Sequence, residues 1–257
     1  MAGVNLTQLT KRYTIGSRTF AALDTVDLTI ADGSFTTIVG RSGCGKTTLL
    51  RLLCGLEEAT SGRIEFTYRA GEEETHQRHI GIVFQEPRLM PWLTVAQNIA
   101  FSRFGDPDRD RTRAMVESLL KMLGLERFRN AYPSQISGGM AQRVALGRTL
   151  CYDPDVILMD EPFGALDYFT RKKLQNEMVE LFLSQGKTFI LVTHDVEEAL
   201  TLGQKVIVLE AGRLIREFPV DLPYRRKRTA PEFLSLQEAI FEMILETNHE
   251  TGNSEGS

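Results

Sequence analysis

A glycine-rich loop that ends in lysine and threonine carries the clearest chemistry in this sequence. The segment 40–47 reads GRSGCGKT and matches GxxxxGK[ST], between an apolar run at 35–39 and a helical pattern at 48–54. In that context, backbone N–H groups converge on a phosphate, the lysine adds a cation and the threonine offers a hydroxyl to Mg²⁺. The predicted nucleotide-binding residues of this loop are Gly40, Arg41, Ser42, Gly43, Cys44, Gly45, Lys46, Thr47 and Thr48.

Two adjacent carboxylates close another apolar run. Residues 156–159 are all apolar, and Asp160 and Glu161 follow them. A carboxylate at the carboxyl end of a strand can orient a Mg²⁺ shell, whereas its neighbour points elsewhere and can polarise a water toward a γ-phosphate. We therefore predict that Asp160 joins Thr47 at the metal and that Glu161 acts as the catalytic base.

A second glycine-rich segment opens a helix at Ser137, Gly138 and Gly139. Its composition and position also suit a phosphate at a helix N-terminus. Because the loop at 40–47 already accounts for one nucleotide, this second cradle is best explained by a nucleotide held on another copy of the chain. The sequence therefore predicts a dimer.

The elements that would position these residues indicate an α/β fold. Runs rich in β-branched and aromatic residues predict strands at 34–39, 63–68, 79–84, 156–159, 187–192 and 205–209. Three of the runs are almost continuously apolar, which predicts parallel strands covered by helices on both faces. Helical patterns at 94–104, 111–123 and 138–150 follow one another without a strand, and they predict an inserted helical subdomain.

Composition and charge exclude several classes of protein. The 257 residues are 42% hydrophobic and 25% charged, which is typical of a globular protein. The net charge of −4 provides no basic field for binding nucleic acid. Apolar runs are far shorter than the roughly 20 residues that cross a bilayer. The first residues lack a secretory signal pattern and the three cysteines form no CxxC pair, so we expect a protein of the reducing cytosol.

In their order along the chain, these motifs resemble those of the ATP-binding cassette (ABC) family over about residues 3–215. The segment ISGGM at 136–140 stands where the family signature is usually written LSGGQ. The resemblance implies a P-loop NTPase cassette with a mostly parallel core sheet, an antiparallel β subdomain and a helical subdomain at about 86–153. It assigns 1–220 to the ATP-binding domain and leaves 221–257 as a C-terminal extension with a short helix and a flexible tail.

The resemblance also implies further site residues. Tyr13 matches the aromatic that stacks on adenine, with Phe20 as the alternative because the register between them is open. Gln85 matches the glutamine that touches Mg²⁺ and senses the transporter partner. His194 matches the histidine that contacts the γ-phosphate, and Asp167 ends the GALD segment that crosses between subunits in the family.

Within the family, the segments at 84–93 and 160–167 are similar to bacterial importers of the nitrate, sulfonate and taurine group. This similarity implies an ATP-hydrolysing, energy-coupling subunit that uses ATP and Mg²⁺ to drive import of a small anion or organic solute. It further implies a homodimer bound to transmembrane permease subunits, and indirectly to a substrate-binding protein, at the cytoplasmic face of the inner membrane. The loop 85–93, with Trp92, is the expected permease contact.

Three features depart from the family pattern. Met140 replaces the signature glutamine and Gly147 stands where alanine is commoner, but we expect neither change to abolish activity. The segment EAGR at 210–213 stands where the importer group carries RPGR, so the resemblance supports the ATPase activity more strongly than the substrate class.

Two other functions remain as alternatives. A soluble cassette ATPase acting on nucleic acid or ribosomes would usually have two cassettes or a coiled coil before the signature, and neither pattern is present. A P-loop kinase or GTPase would leave the segment 137–139 and His194 unexplained.

The C-terminal extension carries two patterns of its own. The basic run 225–228 is interpreted as a solvated surface, with anionic lipid headgroups as the alternative partner. Thr229 and Glu232 have the spacing of a capping box and predict the start of a last helix.

Overall fold

The computed structural model of the protein describes residues 2–68 and 79–251, and the side chains of 3–67 and 79–246. Its strands are β1 (Ala2–Ile15), β2 (Arg18–Ile30), β3 (Phe35–Val39), β4 (Ser61–Tyr68), β5 (Ile80–Val83), β6 (Val156–Asp160), β7 (Thr188–Thr193), β8 (Lys205–Glu210) and β9 (Arg213–Pro219). Its α-helices are α1 (Lys46–Leu53), α2 (Val95–Ala100), α3 (Arg109–Met122), α4 (Gly138–Cys151), α5 (Tyr168–Gln185), α6 (Val196–Leu202) and α7 (Pro231–Thr251). The strands form two sheets, as an α/β cassette requires.

The larger sheet has six strands in the order β5-β6-β7-β3-β8-β9. Its first five strands are parallel, and β9 returns antiparallel to β8. Every residue of β3, β6 and β7 is buried, because apolar clusters pack on both faces of the sheet. The predicted buried parallel sheet is confirmed.

A tight turn that the sequence analysis did not identify adds the antiparallel edge strand β9. Ala211 and Gly212 join β8 to β9 and have φ angles of 46° and 77°. Two successive residues with positive φ produce the turn whose twist matches a two-residue hairpin. The turn lies within the segment 210–213, where the sequence departs from the importer pattern. The hairpin therefore gives a structural role to the residues of that segment.

The smaller sheet is antiparallel, with the strand order β2-β1-β4, as the family resemblance implied. Periodicity alone did not predict β1 or β2. Register shifts interrupt their pairing at three places, and each shift moves side chains between the two faces and breaks the alternation of period two. Apolar residues of both strands, including Leu9 and Leu28, nevertheless pack against Leu50 of α1.

The three helices between β5 and β6 form the predicted helical unit. They share a core that includes Ile99, Leu120 and Val144, all of them fully buried. A Cβ at Gly147 would lie within 3 Å of Leu123, so glycine lets the end of α3 approach α4 closely. The helix predicted at 94–104 is shorter than expected, because Thr94 caps α2 and the chain turns into a 3₁₀ helix after Ala100.

The C-terminal extension ends in α7, whose 21 residues make it longer than the short helix predicted. Phe233 and Ile240 bury one face of this helix against α6 and β8. The amide of Leu234 donates to the carbonyl of Ala230, so Ala230 and not Thr229 is the residue that caps α7, and the predicted capping box is wrong. The tail predicted at 252–257 lies outside the described residues. No helix in the described part of the chain has the length and apolarity needed to cross a membrane.

Candidate functional site

Four loops converge at one edge of the larger sheet. The glycine-rich loop follows β3, whereas Gln85, Glu161 and His194 follow β5, β6 and β7. Because parallel strands end at the same edge, the order β5-β6-β7-β3 places these four loops side by side. Residues that are distant in sequence therefore meet at one cavity.

Backbone contacts within the chain require two glycines of the phosphate-binding loop. A Cβ at Gly40 would lie within 3 Å of the Leu209 carbonyl oxygen, and a Cβ at Gly45 would lie within 3 Å of the Ala22 carbonyl oxygen. Gly45 is also the N-cap of α1 with a φ of 108°, which glycine adopts without strain. The loop is therefore packed against β2 and β8, with its N–H groups at the start of the eight-residue helix α1.

The ammonium of Lys46 lies inside this loop. Its Nζ donates to the carbonyl oxygens of Gly40 at 2.7 Å and Arg41 at 2.9 Å, and the residue is only 7% exposed. Neutral carbonyls hold the cation without cancelling its charge, which remains available for a phosphate. Burial raises the pKa of the Cys44 thiol, so Cys44 serves as a small neutral side chain of the loop.

Thr47 and Asp160 form the part of the site suited to a metal ion. The Thr47 hydroxyl donates to Asp160 Oδ1 at 3.3 Å. Burial raises the pKa of Asp160, and the charge of neighbouring Glu161 adds to this effect. A hydroxyl, a buried carboxylate and the nearby Gln85 amide supply the oxygen ligands that Mg²⁺ prefers, so the residues present fit this ion.

Glu161 lies at the centre of the three predicted catalytic residues. Its Oε2 is 3.2 Å from His194 Nδ1 and accepts a hydrogen bond from Gln85 Nε2 at 3.4 Å. The backbone of Glu161 has a φ of 45°, and its amide donates to the Val192 carbonyl at 3.0 Å. A non-glycine residue in this region is uncommon, and here it turns the chain sharply at the end of β6.

Gln85, Glu161 and His194 line one cavity of about 760 Å³ together with Lys46, Thr47 and both candidate adenine-stacking aromatics. The predicted residues Gly40, Arg41, Cys44 and Asp160 are not among its lining residues. Tyr13 and Phe20 are cross-strand partners in the β1–β2 pairing, with ring centroids 5.6 Å apart. The structure thus fixes the register between β1 and β2. Both rings nevertheless line the same cavity, so the register does not decide which of them stacks on adenine. The volume lies within the range of small-molecule sites.

A charged network holds Tyr13, and the sequence analysis missed it. The Tyr13 hydroxyl donates to Glu57, which also pairs with Lys11 at 3.5 Å and Arg51 at 3.4 Å. The Lys11 ammonium lies 5.0 Å from the centre of the Tyr13 ring. Arg51 lies one turn beyond Thr47 on the same helix face, which is the one sequence signal that could have placed it at the cavity.

Two predicted nucleotide-contact segments, Ser137 to Gly139 and Asp167, do not line this cavity. Ser137 is the N-cap of α4, where its hydroxyl accepts from the Met140 amide at 3.3 Å, and both it and Gly138 are exposed. Asp167 is the N-cap of α5 and accepts from the Thr170 amide at 3.0 Å. Neither residue lines the cavity that contains Lys46.

Comparisons with known proteins give a consistent result. A family model described as ABC transporter matches residues 23–164. The aliphatic sulfonates import ATP-binding protein SsuB of Bacillus subtilis is 41% identical over 233 residues, which cover 90% of this chain and 89% of that protein. An uncharacterized ABC transporter ATP-binding protein of Methanocaldococcus jannaschii is 42% identical over 240 residues, with 92% and 89% covered.

A solved structure agrees with this similarity. It is a dimeric ATP-binding cassette in a post-hydrolysis state bound to ADP and Pi, and it superimposes with a TM-score of 0.76 at 36% identity. The match covers 86% of this chain and 100% of the solved chain.

Proposed function

This chain belongs to the ABC transporter family, as an ABC ATPase of the sulfonate and nitrate importer group, and we propose that its ATP hydrolysis drives import through separate membrane subunits. The observation that carries the proposal is the cluster of Gln85, Glu161 and His194 beside Lys46 in one cavity. The names of its curated relatives support a sulfonate or a similar small organic anion as the transported solute.

The geometry supports a division of labour among the site residues. Loop N–H groups and Lys46 bind the β and γ phosphates, and Tyr13 or Phe20 stacks on adenine. Glu161 accepts a proton from the attacking water, and His194 contacts the γ-phosphate while its Nδ1 faces the same carboxylate. Mg²⁺ held by Thr47, Asp160 and Gln85 would neutralise phosphate charge.

The exposed signature segment supports a head-to-tail homodimer. Ser137 caps a 14-residue helix that begins with Gly138 and Gly139, and none of the three lines the cavity of the chain's own phosphate-binding loop. We assign these residues, and Asp167, to the nucleotide held on the partner copy. ATP binding would then close the dimer, and hydrolysis with phosphate release would let it reopen.

An anchored loop supports contact with a membrane permease. The fully buried side chain of Asn98 donates to the carbonyl of Leu93 at 3.0 Å, and Arg148 donates to that of Arg88 at 3.0 Å. These bonds fix the loop 85–93 while Trp92 stays 69% exposed. We therefore propose this loop as the permease contact, on a subunit that lies peripherally at the cytoplasmic face of the inner membrane and acts indirectly on a substrate-binding protein. The acidic net charge of −4 gives no support to action on nucleic acid.

The substitution Glu161→Gln tests the proposed chemistry. It keeps the side-chain volume but removes the base, so turnover should fall by about 10²- to 10⁴-fold while ATP still binds. The variant should accumulate as an ATP-bound dimer, which size-exclusion chromatography with scattering detects. Phosphate release is measured from ATP alone, with no acceptor, because transfer only to an added acceptor would favour a kinase.

The matched control is Glu238→Gln, because Glu238 on α7 is exposed and does not line the cavity. Its turnover should equal that of the wild type. If Glu161→Gln kept full turnover, or stayed monomeric with ATP, the assigned role would be wrong.

A further inference from the structure

A second cavity, of about 560 Å³, lies between α5, α6 and the segment that precedes α7. Its cationic side chains are Lys172 from α5 and Arg225, Arg226 and Arg228 from the C-terminal extension. It shares no lining residue with the nucleotide cavity. We call it the basic cavity, and its size falls within the range of small-molecule sites.

The basic cavity changes the interpretation of the run 225–228, which is solvated only in part. Arg226 donates to the carbonyls of Leu200 and Gly203 at the end of α6, the latter at 2.6 Å. Arg228 pairs with Glu197 at 2.7 Å. The predicted solvated run is therefore wrong for these two arginines, which fasten the extension to the ATP-binding domain.

Positive charge is in excess at this cavity. Lys172 and Arg228 share the single carboxylate of Glu197, and Arg225 pairs with Glu180 at 3.0 Å. Among the side chains of residues 3–67 and 79–246, no carboxylate forms an ion pair with Arg226. Four cations thus face two carboxylates in one concave space.

Partial burial makes this excess charge more effective. The side chains of Lys172 and Arg228 are only 21% and 25% exposed. Burial lowers the pKa of Arg226 and of Arg228, as expected for cations withdrawn from water. A bound anion would relieve this cost, because a partly desolvated guanidinium binds an oxyanion more strongly than an exposed one does.

The rest of the lining specifies the chemistry of the anion. Asn176 and the Tyr168 hydroxyl add neutral hydrogen-bonding groups, and Val179 adds an apolar surface. The planar fork of arginine matches the tetrahedral oxygens of phosphate or sulfonate in a bidentate manner. We propose that the basic cavity binds a phosphate- or sulfonate-type oxyanion with a small organic body, separately from the nucleotide site.

An oxyanion bound in the basic cavity would contact α5 and α6, two helices that each follow a predicted site residue of the ATPase. The cavity lies between α5, which begins at the Asp167 cap, and Thr201 of α6, a helix that follows His194. A bound oxyanion would hold the C-terminal extension against α5. The oxyanion could be a free solute or the headgroup of an anionic lipid, and the test separates these two sources.

The free-solute experiment titrates sulfate, and then sn-glycerol 3-phosphate, into the full-length chain by calorimetry. Saturating ADP and Mg²⁺ occupy the phosphate-binding loop, so that it does not compete for the probe. Asn176→Asp places a negative charge in the cavity with almost no change of shape, and Arg225→Gln removes an exposed cation. Each should weaken binding of the probe at least about fivefold.

The lipid experiment measures co-sedimentation of the same proteins with phosphatidylglycerol vesicles and with phosphatidylcholine vesicles. Lys227→Gln is the matched control, because Lys227 lies in the same segment but is exposed and does not line the cavity. Circular dichroism of each variant establishes that it is folded.

The outcomes are distinct. Saturable binding of the free probes, weakened by Asn176→Asp and Arg225→Gln but not by Lys227→Gln, supports the site with a solute as its source. Binding only to phosphatidylglycerol vesicles, with the same variant pattern, supports the site with a lipid headgroup as its source. The proposal is overturned if neither probe nor vesicle binds, or if all three substitutions act alike.

Discussion

The two glycine-rich segments of this protein both begin helices, yet their surroundings differ. In the loop at 40–47, side chains at Gly40 and Gly45 would clash with backbone carbonyls of the same chain. In the segment at 137–139, a Cβ at Gly138 would meet nothing within 4 Å in the described part of the chain outside its own helix. Gly40 and Gly45 are buried against the sheets, whereas Gly138 is exposed.

This difference separates two reasons for glycine. The glycines of the first loop are needed for the chain to fold around Lys46. Nothing in the packing of a single copy requires Gly138, so its requirement must come from something that approaches α4 from outside. The proposed nucleotide of a partner copy is such a group.

The sharpest test of the comparison is a pair of alanine substitutions. Gly45→Ala forces a φ of 108° on alanine and brings its Cβ against Ala22, so the free energy of unfolding should fall by about 2 to 6 kcal/mol. Gly138→Ala should leave the nucleotide-free monomer within about 0.5 kcal/mol of the wild type but impair ATP-driven dimerisation. Urea denaturation and scattering measure the two effects. Equal destabilisation by both substitutions would remove the distinction.

ATP binding by the monomer should depend on the loop at 40–47 and not on the segment at 137–139. Lys46→Ala removes charge-assisted hydrogen bonds to phosphate, so ATP affinity should fall about 100-fold or more. Ser137→Ala should leave ATP binding by the monomer unchanged and slow hydrolysis at concentrations where dimers form. Binding of a fluorescent ATP analogue checks both variants, with substitution of the exposed Lys173 of α5, Lys173→Ala, as the charge control. Unchanged affinity of Lys46→Ala would contradict the phosphate cradle.

A smaller effect distinguishes the two aromatics beside the first loop. Glu57 and Lys11 hold Tyr13 in place, whereas Phe20 is 49% exposed and is held by neither residue, so Tyr13 is better prepared for stacking. Tyr13→Leu should weaken ATP binding by about 1 to 3 kcal/mol, and Phe20→Leu by less. Titration with ATP and with inorganic triphosphate isolates the adenine contribution. A larger loss for Phe20→Leu would assign the stacking to that ring.

The smallest expected effect concerns the carboxylate beside Thr47. Burial raises the pKa of Asp160, so its ionised form is disfavoured in the folded chain and lowers stability at neutral pH. Asp160→Asn should therefore raise the melting temperature of the nucleotide-free protein by a few degrees at pH 7. The gain should shrink as the pH falls, because the carboxyl of the folded wild type is protonated before the pH reaches the ordinary aspartate pKa of about 4.

Asp221→Asn, at an exposed position, is the control and should show no such trend. A gain at Asp160 that did not change with pH would rule out desolvation of the carboxylate as its cause.

Local patterns predicted much of the fold and of the candidate site. The apolar runs at 156–159 and 187–192 predicted buried strands, because a strand covered on both faces needs apolar residues at every position. The spacing of the loop at 40–47 predicted its place between a strand and a helix. By contrast, β1 and β2 were not predicted from periodicity, because their bulges break the alternation, and β9 depends on a tight turn at 211–212.

Contacts between distant segments were beyond sequence reasoning. Glu161 and His194 were identified separately, but their 3.2 Å approach depends on β6 and β7 being neighbours in the sheet. Similar apolar strands can pair in many orders, so no run of residues specifies the order by itself. The Glu57 network and the inward arginines of 225–228 likewise have no signature along the chain.

The amino-acid sequence by itself determined which groups this protein brings to a phosphate: the backbone amides and lysine of one loop, and the two carboxylates that end one strand. These assignments are local, since glycine spacing and strand burial act over a few residues. Only the tertiary structure decided that Gln85, Glu161 and His194 share one cavity, that Ser137 lies outside it, and that a run of arginines lines a second one. The reason is that these relations depend on strand order and helix packing, which arise from many weak contacts across the whole chain.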